Sequence, residues 1–152
     1  MSNQGLDESK LHRQWAVQLF NRVWELMDME KRDQEETDEM IHAVHASRYH
    51  WGMAGAPVNL ARGEWQISRV YSVLQRAEPA LYHAHRCLEI CLENKIGDFD
   101  LAFAYEALAR ACMVAGNPVE KTRYLELAHR VAASIEEEDD RQILLNDLGT
   151  IE

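Results

Sequence analysis

Two tetrapeptides set a carboxylate and an imidazole on one helix face: Glu39-Met40-Ile41-His42 and Glu126-Leu127-Ala128-His129. Residues three apart on an α-helix are neighbours. Glu-x-x-His on two helices, with a single glutamate from each of two more, is the ligand set of di-iron carboxylate bundles. Glu25, with Glu64, Glu89 or Glu106, could complete such a set. A metal-binding four-helix bundle with oxidoreductase chemistry is therefore one reading, with Glu39, His42, Glu126 and His129 as its metal candidates. Against it, a chain this rich in Glu and His shows about one such spacing by chance. The segment HAVHASRYHW adds His45 on the face of His42, with Asp38 one turn earlier, while His50 lies well round the helix. Imidazoles at this spacing hold zinc or iron only when further ligands converge from elsewhere; otherwise they form a polar helix face.

Nucleophilic chemistry has less to work with. Cys87 and Cys91 share a face, where paired thiols usually pack, and no spacing supplies a histidine to activate either. Ser47 and Ser68 fall inside helices, and His83 and His85 point to opposite sides of theirs. Gly52 and Gly55 mark a turn without the lysine and hydroxyl of a phosphate-binding loop. The sequence shows no active site, and no cofactor is implied.

The chain's size and composition narrow the classes further. Its 152 residues, 47% hydrophobic and 28% charged, suffice for one domain with a real core. No apolar run is long enough to span a bilayer, and MSNQGLDESK lacks a signal-peptide core, so the cytoplasm is the expected compartment. The three cysteines, Cys87, Cys91 and Cys112, read as buried free thiols of a reducing environment. The net charge of −10 is concentrated in the connector Asp28 to Glu39 and the run Glu136 to Asp140. Between His42 and Arg130, 10 Lys and Arg face 9 Asp and Glu. Phosphate backbones need a basic surface, so no nucleic acid is expected as a partner.

Helical periodicity assigns the elements that must carry these groups. A long helix is expected from Glu8 to about Asp28 on Leu11, Trp15, Leu19, Val23 and Leu26. A second follows, N-capped by Thr37 and running through Met53. After the breaker GMAGAP, helices run from about Asn59 to Gln75 and from about Glu78 to Glu93. The stretch from Asp98 to Ile135 carries the clearest signals. Ala102, Ala104, Ala107, Ala111 and Ala115 make a small-residue face that lets another helix approach closely. Gly116 suits a left-handed C-cap, and Asn117-Pro118-Val119-Glu120 reads as N-cap, proline at the first position and an acid in the first turn. A last short helix, Asp139 to Leu148, could cover the open end.

An offset of 41 residues aligns Ala61 with Ala102, Ile67 with Leu108, Ser68 with Ala109, Arg69 with Arg110 and Val73 with Val114. With Ile67-Ser68, Tyr71, Leu74, Ala80-Leu81 and Ala84 in one unit, and Leu108-Ala109, Gly116 and Ala128 in the next, the segment Asn59 to Ile135 resembles the tetratricopeptide-repeat family. That family's usual period is about 34 residues, so the offset points to its longer-repeat branch. The resemblance implies an all-α fold of stacked antiparallel hairpins: a degenerate one at 8–53, others at 59–94 and 98–135, and a capping helix at 139–148, together forming one domain over 1–152. It further implies a groove lined by the first helix of each unit, holding a protein or peptide segment. Its lining here would be Arg62, Trp65, Arg69 and Ser72, then Phe103, Glu106, Arg110 and Met113. Arginines in such a groove could fork onto a partner's carboxylate, or instead pair internally with Glu106. A non-enzymatic interaction module is the expected function. The alternatives are the metal protein above and a homodimer formed through Trp15 and Trp24 of the first helix.

Overall fold

Local capping chemistry fixes where the helices begin. The structure, a computed structural model, describes residues 3–151, with side chains from residue 7 onward. Among these residues it forms seven α-helices and no strand: α1 (Asn3–Met27), α2 (Gln34–Ala54), α3 (Pro57–Val73), α4 (Ala77–Glu93), α5 (Asp98–Val114), α6 (Pro118–Ala132) and α7 (Glu138–Leu148). Asn117 accepts the Glu120 amide ahead of Pro118, as its sequence indicates. The α2 cap differs from expectation. Asp33 accepts the Glu36 amide at 2.8 Å and Glu36 accepts the Asp33 amide at 3.1 Å, a reciprocal capping box. Thr37 lies one turn inside, because the residue three beyond it is Met40, which cannot bond back. The connector before Asp33 is also ordered. One Arg32 nitrogen, Nη1, donates to the carbonyls of Leu26, Met27 and Met29, satisfying acceptors that the end of α1 leaves open.

The three central turns share one geometry. Gln75, Lys95 and Gly116 take φ values of 59°, 55° and 72°, in the left-handed region. The amide just after each reaches back five residues: Arg76 to Tyr71, Ile96 to Cys91 and Asn117 to Cys112, at 2.8 to 2.9 Å. This is the glycine-type C-cap, built twice on residues that carry a Cβ. Gln75 and Gly116 lie 41 positions apart, as do the first residues of α3 and α5 and of α4 and α6. The sequence offset is thus also the structural period.

The seven helices stack as consecutive hairpins in two layers. α1 packs on α2, α3 on α4 and α5 on α6. The odd-numbered helices also touch one another in order, α1 to α3 to α5 to α7, whereas α2, α4 and α6 touch only odd-numbered ones. The inner layer is therefore α1, α3, α5 and α7. Its centre is α5, where Ala102, Ala104, Ala107, Ala109 and Ala111 are buried on a helix that four others contact, α3, α4, α6 and α7. α7 seals one end by placing Leu144 and Leu148, with the following Ile151, against Tyr124, Ala128 and Ile135. Cross-links tie α1 to the stack: Ser47 on α2 donates to the Ala16 carbonyl and Gln66 on α3 to the Phe20 carbonyl.

The shared turn geometry makes opposite substitutions informative. Gly116→Ala should lower unfolding free energy by about 1 kcal/mol, while Gln75→Gly should raise it by about 0.5–1 kcal/mol. Urea melts of the two variants check both signs.

Candidate functional site

The inner layer is organised around one carboxylate. Glu106 on α5 has no solvent exposure. It accepts the Trp65 indole N–H at 2.8 Å, an Arg69 nitrogen at 3.0 Å and Arg110 Nε at 2.8 Å. Arg110 continues to the Asp147 carbonyl and the Thr150 hydroxyl, at 3.1 and 2.8 Å, and Arg69 lies 3.7 Å from the Asp147 carboxylate. Two guanidinium and two carboxylate charges thus balance within the protein. Arg69 and Arg110, the residues positioned by sequence to meet a ligand's carboxylate, hold the protein's own instead. Helical spacing explains it, since Glu106 precedes Arg110 by one turn.

Above this node the inner layer opens into a cavity of about 320 Å³. Rings dominate its lining and touch in series. Phe20 and Trp24 from α1 have centroids 6.3 Å apart, Trp24 and Trp65 5.6 Å, Trp65 and Phe103 5.6 Å, and Phe103 and Phe99 4.8 Å. All three phenylalanines of the chain are here. Ala61 and Cys87 contribute small surfaces, Ile143 and Asp147 come from α7, and Arg62 pairs with Asp100 at the edge. Of the eight residues expected in the groove, Arg62, Trp65 and Phe103 line the cavity. Glu106, Arg69 and Arg110 form the charged node. Ser72 is buried with its hydroxyl unpartnered, and Met113 packs half-buried against the core of the last hairpin. Sequence reasoning missed Phe20, Trp24, Phe99, Asp100, Ile143 and Asp147. The pairs Phe20/Trp24 and Phe99/Phe103, each four apart on a helix, were the available signal.

The cavity offers little reactive chemistry. Burial and the hydrogen bond to Cys91 hold Cys87 well above the usual thiol range, the hydrogen bond being the stronger cause, so it faces the rings as a thiol and not as a nucleophilic thiolate. The Glu-x-x-His pairs do not meet. Glu39 is forked by Arg22 at 2.6 and 3.0 Å, His42 is exposed, and Glu126 and His129 lie on the exposed side of α6. α2 and α6 share no contact. Among the described residues no group of three or more His, Cys, Asp or Glu is placed to hold a metal ion.

Imidazoles instead join helices. On the side of α3 facing α2 and α4, Glu64 accepts His83 Nδ1–H at 2.6 Å and Arg48 Nε–H at 3.2 Å. Gly63 gives Arg48 its path, since a Cβ there would come within 2.8 Å of Arg48 Cδ. His45 Nε2 meets the Tyr71 hydroxyl at 2.8 Å, and the His45 and His83 rings lie 5.5 Å apart. In the first hairpin, His12 and His50 share a hydrogen bond between their Nδ1 atoms at 2.8 Å, beside Trp15. Burial first, then the neighbouring His83, depresses the His45 pKa; burial first, then His12, depresses that of His50. Burial alone would raise Glu64, but the hydrogen bond and charge of His83 and those of Arg48 outweigh it and bring its pKa below the usual value.

Comparison with protein-family models, with curated proteins and with solved structures gives no match.

Two outcomes follow from these contacts. Glu106→Gln strands Arg69 and Arg110 in the interior, so chemical denaturation should show a loss of roughly 3–5 kcal/mol. A loss under about 1 kcal/mol would show that the node is solvated. Acid should also destabilise the fold in two steps. Depressed histidines bind protons more readily when unfolded, so stability declines as pH falls below about 6.5. Glu64 extends the decline below about 4.3, the ordinary glutamate value. Thermal melts across this range check it, and His45→Gln with His50→Gln should flatten the upper step.

Proposed function

We propose that this chain is an interaction module of the tetratricopeptide-repeat type, whose inner-layer cavity receives a segment of a protein partner. The observation that carries this reading is the series of five touching rings left facing an open cavity while the polar groups around them are engaged within the protein. Aromatic side chains dominate the energetics of interfaces, and rings that border an open cavity are available to a partner's side chain. The internal pairing of Glu106, Arg69 and Arg110 supports a binding surface better than a reaction centre, because none of the three is left to exchange a proton or hold an anion. No helix among the described residues is long and apolar enough to cross a membrane.

A second reading, self-association, is favoured by a separate surface. Leu11, Trp15, Val17, Tyr49 and Met53, five of the nine exposed large hydrophobic residues among the described ones, all lie on the first hairpin, at the end of the stack opposite α7. Stacked-repeat proteins need both ends covered, and a second copy would supply that cover.

The four tryptophans separate the two readings. Trp24 and Trp65 line the cavity, Trp15 lies on the exposed face of the first hairpin, and Trp51 is buried in the same hairpin. Peptides selected from a displayed library of random dodecapeptides should shift the indole N–H resonances of Trp24 and Trp65 and leave that of Trp51 in place. Shifts confined to Trp15, appearing with protein concentration and without peptide, would replace groove binding by self-association.

A further inference from the structure

Whatever enters the cavity meets rings on its floor and carboxylates on its walls. The cations that could have received an acidic ligand are engaged: Arg69 and Arg110 on Glu106, and Arg62 on both oxygens of Asp100 at 2.7 and 3.1 Å. The α7 wall carries Asp140, Ile143 and Asp147, spaced three and four apart and hence on one face of that helix. Ile143 and Asp147 line the cavity directly. Asp100 first, through its hydrogen bond, and Asp140 more weakly, through its charge, raise the Arg62 pKa. Asp100 is thus taken by Arg62 and Asp147 by Arg69, which leaves Asp140, one turn before Ile143 on the same helix face, as the carboxylate in excess on this side of the cavity. The formal charge of the whole chain, −10, has the same sign.

The geometry points to the chemistry of the occupant: a partner segment with one bulky uncharged side chain, aromatic or branched, for the cavity, next to lysine or arginine for Asp140 on α7. This rests on the groove reading above and assigns its ligand class. A cavity of about 320 Å³ accepts one large side chain, and the rings surround it with polarisable apolar surface. The flanking cation gains from Asp140 and from ring faces at the rim. An acidic segment, or a free C-terminal carboxylate, would instead face Asp140, and this repulsion contributes as much to selectivity as the attraction does.

Three acetylated and amidated nonapeptides test the assignment, each with a fluorophore at one end and titrated with the full chain while anisotropy is followed. One carries phenylalanine followed by two lysines. The second has two glutamates in place of the lysines, and the third has alanine in place of phenylalanine. The phenylalanine-lysine peptide should bind at least about tenfold more tightly than either of the others at low salt. Its advantage over the glutamate peptide should shrink to about threefold or less near 0.5 M salt, where surface charges are screened. Asp140→Lys, on the outer part of α7, should narrow or reverse the preference without changing the circular-dichroism melt by more than a few degrees. Equal or tighter binding of the glutamate peptide overturns the charge assignment and leaves the groove reading standing. Equal binding of the alanine peptide overturns the anchor. If none of the three peptides binds, the groove reading falls and this inference falls with it.

Discussion

An ionised carboxylate buried without solvent survives only if its surroundings supply the hydrogen bonds and charge that water would have given. Glu106 has that environment because three donors converge on it from two helices, Trp65 and Arg69 from α3 and Arg110 from its own α5. Through Arg110 and Arg69 the same node reaches the end of α7. A buried network of this kind adds little net stability compared with an apolar core. Its effect is positional. Turning the Trp65 indole away would leave one oxygen of Glu106 unpartnered, so its ring stays on the cavity, and α7 cannot leave without freeing Nη2 of Arg110.

The repeat makes this node possible. Trp65 and Glu106 occupy equivalent positions in successive hairpins, 41 residues apart, as do Arg69 and Arg110. Stacking brings each position against its own counterpart, so equivalent sites with complementary chemistry become a contact. The neighbouring residue on α3, Glu64, faces the other way and binds Arg48 of α2 and His83 of α4. Adjacent residues on one helix thus anchor α3 to both layers, Trp65 inward and Glu64 outward. Gly63 completes the outward anchor by leaving room for the Arg48 stem.

This division explains what the sequence made legible. Signals that act within a few residues read correctly: the turn at Gly116, the cap at Asn117-Pro118, the alanine face of α5 and the 41-residue period. The cap of α2 was read at Thr37, whereas the structure uses the Asp33–Glu36 box one turn earlier. The left-handed turns at Gln75 and Lys95 carried no glycine to announce them. The groove was harder. The repeat resemblance assigns one face of α3 and α5 to the groove, and of its residues Arg62, Trp65 and Phe103 border the cavity. It cannot say which polar residues on that face lie beneath the surface and which lie on it. Glu106 and the two arginines went below because each finds its partner within the same layer. Phe20, Trp24, Ile143 and Asp147 come from the ends of the chain, whose approach to α3 and α5 is a property of the whole stack.

An apolar cavity is not a resting state that a protein reaches without restraint, because neighbouring side chains gain contact by collapsing into it. Here the walls are braced. The Trp65 ring is tethered by Glu106, Arg62 and Asp100 clasp α3 to α5 at the edge, and Gln66 fixes α1 by the carbonyl of Phe20. The phenylalanines, Trp24 and Trp65 lean on one another at angles between 41° and 85° and do not stack flat into the gap. The polar residues that a reading by residue type would assign to a ligand therefore act as struts, and the surface they hold open is apolar. On the reading proposed above, recognition at such a site is by shape and by ring faces, with charge confined to its rim, in a geometry set before anything binds.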